Sequence, residues 1–460
     1  MVLARLLAPD QFGLMAIVMV AAMALEAFAE LGIKQSVIQN KRGAEPDYLN
    51  VAWWVQAVRG AGLFLIAIVA VPLISSFYDK PELLRLLRVS FVTILFRGFV
   101  SPRAYVLEKE YKFGRAVFLT QGSPIVGTII TIGLVFIIRN VWALVIGFVA
   151  EAAILCLASY FLVPFIPRFR INREYLGELM KFGRGMLGLP MLTMVSFQAD
   201  ILVLGKVVPN ELLGLYSLVA NLAYLPIDLF SQMIAPVLLP AFAQKQDEED
   251  SLCRGILQIT RWTAVTTIPL VALMACCASE MLLLAYGEKY VAAAIPFGIL
   301  SLQILARNEG AVLGTTYMAV GRPHLHRRFV TLRAVIIVGL IYPAVVYYGL
   351  VGAAAVVVLG NFTALLMQVF WCRRIIDLKF GRYMRSYIPG LLSALPVILT
   401  VVLLKLLRIK SSVVILVVSG AVLAAIYAVY MRGILVSKFR TDSSAAGEQQ
   451  QGTSAHLPAI

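Results

Sequence analysis

Charged side chains sit inside long apolar runs, where a charge is expensive, among them Arg59, Arg97 and Arg307 as cations and Glu26, Glu30, Asp200, Asp228 and Glu309 as acids. A charge in hydrocarbon is costly unless it faces a pocket, a water path or a partner. A guanidinium presents a planar fork of donors that fits two oxygens of a phosphate at once, and the buried cations are all arginine. That combination points to a groove for a diphosphate. The acids are candidates for gating or coupling, because burial and a nearby arginine act in opposite directions on a carboxyl group. A second reading stays open: the arginines pair with Glu26, Glu30, Glu151, Asp200, Asp228 or Glu309 and only hold helices together. Arg85 and Arg88, near the outer end of an apolar run, are expected to snorkel.

No catalytic residue is assigned. The five cysteines, Cys156, Cys253, Cys276, Cys277 and Cys372, have no ligand spacing and are read as small packing residues. His324 and His326 sit in a basic stretch with no carboxylate or thiolate close in sequence, so they are expected in a solvated loop. Neither a metal nor a cofactor is expected.

The elements that must position these charges are membrane helices. The chain of 460 residues is 60% hydrophobic and 14% charged, with a mean hydropathy of +0.87, outside the range of a soluble domain. At about 20 apolar residues per crossing, the sequence predicts thirteen spans, at 11–32, 51–75, 83–101, 116–138, 142–163, 185–205, 212–238, 262–285, 291–318, 329–348, 350–371, 386–407 and 412–431. Lysine and arginine concentrate in alternate loops, which makes that side cytoplasmic and places the C-terminus inside. The net charge of +15 is thereby accounted for, and nucleic acid is excluded as a partner. The first ten residues are too short to cross; they are expected to be the outer end of an incomplete first helix, which would make fourteen. The outer links are short, leaving no room for a folded outer domain. Residues beyond 440 are rich in Ser, Gln, Gly and Ala and read as a disordered tail.

The chain also repeats itself. The stretch 197–242 holds two apolar runs joined by a short hinge, with Asp200 and Asp228 inside them. Its segment Pro209, Asn210, Glu211, Leu212, Leu213, Gly214, Leu215 matches Pro9, Asp10, Gln11, Phe12, Gly13, Leu14 at an offset of about 201 residues, with a one-residue slip beside the glycine. Asp228 and Gln232 in one copy, and Glu26 and Glu30 in the other, are each four apart and share a helix face. Duplicated halves with a binding site between them are the usual construction of secondary transporters.

The opening ARLLAPDQFGLMAI, the later QADILVLG, LLGLYSLV and VLLPAF, and the cytoplasmic VLEKEYKF resemble the polysaccharide-transport flippases of the multidrug/oligosaccharidyl-lipid/polysaccharide exporter superfamily, of the colanic-acid and O-antigen exporter type. The resemblance implies an all-α, polytopic membrane helix bundle of two pseudo-symmetric six-helix lobes plus two C-terminal helices. The boundaries expected are an N-terminal lobe at 1–184, a C-terminal lobe at 185–371, two further helices within 372–440 and the tail at 441–460. It implies alternating access that carries an undecaprenyl-diphosphate-linked oligosaccharide across a bacterial inner membrane. Its partners would be membrane lipids, a polysaccharide polymerase and export machinery. A drug or cation antiporter of the same superfamily is the alternative, and several buried arginines count against cationic cargo. A membrane glycosyltransferase or polymerase is the remaining one, and the short outer links count against it.

Overall fold

A computed structural model describes residues 1–28, 32–110, 113–168, 172–186, 188–244, 248–376, 378–409 and 411–432. The described residues form helices and no strand, so the all-α membrane bundle is the fold of this protein. The long helices are α1 (Pro9–Phe28), α2 (Pro46–Tyr78), the short consecutive pair α3 (Glu82–Ser90) and α4 (Val92–Gly98), α5 (Phe113–Ile138) and α6 (Val141–Leu162). They continue with α7 (Leu189–Val207), α8 (Asn210–Met233), α9 (Glu249–Cys276), α10 (Ala294–Ala319), α11 (Pro323–Ile376), α12 (Ile388–Leu406) and α13 (Ser412–Arg432). In lipid a helix satisfies its own backbone donors and acceptors, which is why apolar runs of this length adopt it. Proline opens α1 and stands at the first position of α2, where its missing N–H costs nothing, and the Asn140 side chain caps α6 by accepting from the Trp142 backbone N–H at 2.9 Å.

Among the described residues, eleven helices are long and apolar enough to cross a membrane. Two local features separate that number from the thirteen runs of the hydropathy pattern. Residues 83–101 form two short helices because the ladder loosens at their junction, where the hydroxyls of Ser90 and Thr93 bond back to the carbonyls of Leu87 and Ser90 at 3.1 and 2.7 Å. The runs at 329–348 and 350–371 lie within α11, which turns back on itself at Gly349, whose φ of 56° and ψ of −137° only glycine adopts readily. The two arms of that hairpin are packed antiparallel: a Cβ added at Gly352 would lie 2.0 Å from the Ala344 carbonyl oxygen, and one at Gly360 would lie 2.8 Å from the Ile337 side chain.

The sequence repeat meets itself in space. α1 lies along α8, and the glycine of each copy faces the start of the other: a Cβ at Gly13 would sit 2.0 Å from the Asn210 carbonyl oxygen, and one at Gly214 would sit 1.7 Å from that of Pro9. The two helices share a core in which Ile17, Val18, Leu213, Tyr216 and Val219 are all buried. Small residues at such crossings let backbones approach, which in lipid replaces the missing hydrophobic drive.

The two ends of the bundle are held differently. At the end opposite the basic loops, contacts run between the first and second halves of the chain. There Lys206 pairs with Asp79, Lys80 donates to the Gly205 carbonyl at 2.9 Å, and Arg5 donates to the Leu284 carbonyl at 2.5 Å. At the basic end the ion pairs among the described residues stay within the first half: Lys34 with Glu108 at 2.7 Å, and Arg42 with Glu174 at 2.8 Å and with Glu178. The Glu174 carboxylate raises the Arg42 guanidinium above its ordinary range.

Candidate functional site

Between the halves, on the basic-loop side of that seal, lies a cavity of about 880 Å³. Met23, Glu26 and Arg97 line it from the first half, and Phe197, Asp228 and Arg307 from the second. Its depth follows from the helices: Met23 and Glu26 are in the last turns of α1, and Thr193 and Phe197 are in the first half of α7, whose far end forms the seal. A side pocket opens in each half. The first, about 370 Å³, carries Arg59, Gln56, Tyr105 and Glu108 and shares Glu26 and Arg97 with the central cavity. The second, about 190 Å³, carries Arg333, His326, Asn361 and Gln368 and shares Thr193, Phe197 and Arg307 with it.

The charges differ in how they are compensated. Arg97 donates to Glu26 at 2.8 Å and stands 5.9 Å from the Phe148 ring, so the ion-pair arrangement is realised there. Exchanging the two charges, with Glu26→Arg and Arg97→Glu in one chain, is expected to restore the membrane abundance that either single reversal lowers. Quantitative blotting checks this, and a double variant no better than the singles would exclude the pair as a structural tie. Arg307 is placed instead over aromatic faces, 4.1 Å from the Phe197 centroid and 5.0 Å from that of Tyr224. Arg333, from the first arm of α11, lies over the same Phe197 ring at 4.4 Å and donates to Asn361 at 3.4 Å. Neither Arg307 nor Arg333 has a salt bridge among the described residues. A ring in contact with two guanidiniums offsets part of their charge and leaves their forks available to an anion.

Of the acids, Asp228 is exposed in the central cavity and Glu26 lies in its wall beside Arg97. Asp200 and Glu309 are elsewhere. Asp200 is buried between α7 and α8, where one oxygen accepts from the Tyr216 hydroxyl at 2.8 Å and the other from the Ile201 backbone N–H at 2.9 Å. Tyr216→Phe would leave a buried carboxylate oxygen without that donor, a loss of about 1–3 kcal/mol. The expected result is a lowered melting temperature in detergent, and an unchanged one would show that the bond contributes nothing. Glu309 is fully buried where α10 faces α9 and the short helix Phe380–Arg385: it accepts from Thr260 at 3.0 Å and from Tyr383 at 3.2 Å, and the Tyr387 and Tyr383 hydroxyls are bonded at 2.9 Å. Glu30 lies outside the described residues.

Three site residues escaped the sequence reading. Arg333 stands near the start of a hydropathic run, where a cation looks like a snorkelling flank. His326 is not in a loop; it opens α11 half-buried and faces the second side pocket, whereas His324 is exposed. Phe197 looked like one more apolar residue. The available signal was periodicity, since His326, Val330 and Arg333 recur at helical spacing on one face and all line the pocket. Among the described residues no group of His, Cys, Asp or Glu could hold a metal ion.

These features define a polytopic membrane protein whose two halves enclose a polar cavity lined by two arginines and two acids, sealed at one end of the bundle. The chain belongs to the polysaccharide biosynthesis protein family, whose defining pattern matches residues 2–295. It is 22% identical over 402 residues to an uncharacterized membrane protein in the cps region of Klebsiella pneumoniae, covering 86% of this chain and 83% of that one. It is 23% identical over 365 residues to the lipopolysaccharide biosynthesis protein WzxC of Escherichia coli, covering 78% and 72%. Among solved structures it superposes on the lipid II flippase MurJ in an inward closed conformation with a TM-score of 0.76, over 94% of this chain and 95% of that one, at 12% identity. That likeness concerns the fold.

Proposed function

We propose that this protein flips an undecaprenyl-diphosphate-linked oligosaccharide from the inner to the outer leaflet of a bacterial inner membrane, for surface polysaccharide synthesis. The observation that carries the reading is the cavity between the halves, with Arg97 and Arg307 in its walls and Arg59 in a pocket continuous with it. An anionic, hydroxyl-rich head group needs a polar path with arginine donors in its walls, because moving it through hydrocarbon unassisted would leave every charge and hydroxyl without partners. The polysaccharide biosynthesis family, the lipopolysaccharide biosynthesis protein among its relatives and the lipid II flippase of like fold agree with this reading. Closure at the end away from the basic loops makes the present state one that loads from the cytoplasm, with the C-terminus on that same side. Transport then requires the Lys206–Asp79 seal to open while the basic end closes. A polysaccharide polymerase would receive the cargo outside.

The test is the leaflet distribution of lipid-linked repeat units in a strain lacking the gene. Units should accumulate in the inner leaflet and be cleared when the gene is restored. If none accumulates, the flippase reading fails, and efflux of small molecules becomes the activity to assay.

A further inference from the structure

The second side pocket asks for a ligand of mixed character. Two guanidiniums, Arg307 and Arg333, stand on one phenylalanine ring and neither has a salt bridge among the described residues, which favours an anion. The same pocket presents the Gln368 side-chain oxygen, buried without a hydrogen-bond partner, and an acceptor of that kind needs a donor. A fully ionised diphosphate satisfies the first demand and not the second, since it has no hydrogen to give. A carboxylate on a ring of hydroxyls satisfies both. Phe329 and the amides of Asn361 and Gln368 line the same pocket, and apolar surface beside a few hydrogen-bonding groups is the combination that reads a sugar ring. The size agrees: about 190 Å³ is roughly six times the volume a water occupies in the liquid, room for one glycosyl unit and not for a diphosphate with its whole glycan.

We infer that the pocket between α10 and the α11 hairpin binds one acidic sugar of the cargo, with its carboxylate between Arg307 and Arg333 and a ring hydroxyl donating to Gln368. The glycan therefore carries a uronic acid or a similarly anionic unit. This rests on the cavity being the path of a lipid-linked glycan. It adds a specificity pocket, in which Arg333 selects cargo by the charge of one sugar while the diphosphate occupies the central cavity.

The experiment uses the full chain in lipid nanodiscs and three probes: methyl β-glucuronide, methyl β-glucoside and inorganic diphosphate, with binding read by saturation-transfer NMR. The expected result is transfer to the glucuronide and not to the glucoside. Arg333→Gln should weaken it about tenfold, the usual worth of a lost charge-assisted bond. Arg333→Lys should weaken it less, and Arg85→Gln, on the exposed face of α3, should leave it unchanged. Arg333→Lys also serves if the glutamine variant does not fold. Absence of transfer, equal transfer to both sugars, or retention of binding in both Arg333 variants would overturn the inference. So would diphosphate displacing the glucuronide from an Arg333-dependent site, since the anion read there would then be that of the carrier. The leaflet assay fails independently: lost glucuronide binding with intact flipping removes only the specificity pocket, and intact binding without lipid-linked accumulation removes only the flippase reading.

Discussion

Gly214→Val is expected to deplete the protein from the membrane. A side chain there would have to occupy the place of the Pro9 carbonyl, at 1.7 Å from its Cβ, and the obstacle is backbone that no rotamer change can move. Overpacking a core commonly costs about 1–3 kcal/mol, and more where backbone faces backbone on both sides. α1 and α8 would separate along the seam that joins the two halves of the chain, next to the contacts that close the end opposite the basic loops. Gly13→Ala should act in the same direction, since its Cβ would lie 2.0 Å from the Asn210 carbonyl oxygen. The two effects should add to less than their sum, because one separation of the helices accommodates both side chains. Gly62→Ala is the control: nothing lies within 4 Å of a Cβ there, and alanine is the better helix former by about 0.5–1 kcal/mol. Membrane abundance and melting temperature decide the matter. Wild-type values for Gly214→Val would mean that the two copies of the repeat do not pack at their glycines.

Arg307→Ala is expected to slow cargo translocation by about ten- to a hundredfold at unchanged protein abundance, corresponding to the loss of one or two charge-assisted hydrogen bonds. The separation of function from stability follows from its surroundings. Arg307 packs on Phe197 and Tyr224 and has no salt bridge among the described residues, so its removal breaks no ion pair among them. Arg307→Lys should be intermediate, keeping the charge without the planar fork. Reversing Asp228 to a cation should not rescue Arg307→Ala, in contrast to the exchange expected for Glu26 and Arg97. The readout is the rate at which inner-leaflet lipid-linked units disappear when the gene is induced. Flipping at the wild-type rate would remove Arg307 from the cargo path.

The class of protein could be read from residue types alone. Runs of about 20 apolar residues with cations in alternate loops dictate a membrane helix bundle, because a continuous apolar run of that length bonds its own backbone in hydrocarbon as a helix, whereas barrel strands are shorter and alternate in polarity. The repeat at Gly13 and Gly214 likewise announced a duplicated chain, and the scarcity of buried charges made the short list of functional candidates visible. What those charges contact was decided only by the tertiary structure. Hydropathy says that Asp200, Asp228 and Glu309 lie within helices; it does not say which way each helix is rotated. The packing places Asp228 in the cavity, Asp200 behind it on Tyr216, and Glu309 among hydroxyls between α10 and the segment leading to α12. The same holds for the arginines: Arg97 found an acid partner and Arg307 a ring, although both looked alike as lone cations in apolar runs. Arg333 joined them because the hairpin at Gly349 turns α11 back on itself, and a turn set by one residue's φ and ψ leaves no trace in a hydropathy pattern. Burial is a property of each residue and its near neighbours in the chain, so the sequence carried it; pairing depends on the rotation and crossing of helices far apart in the chain, which only the packed bundle sets.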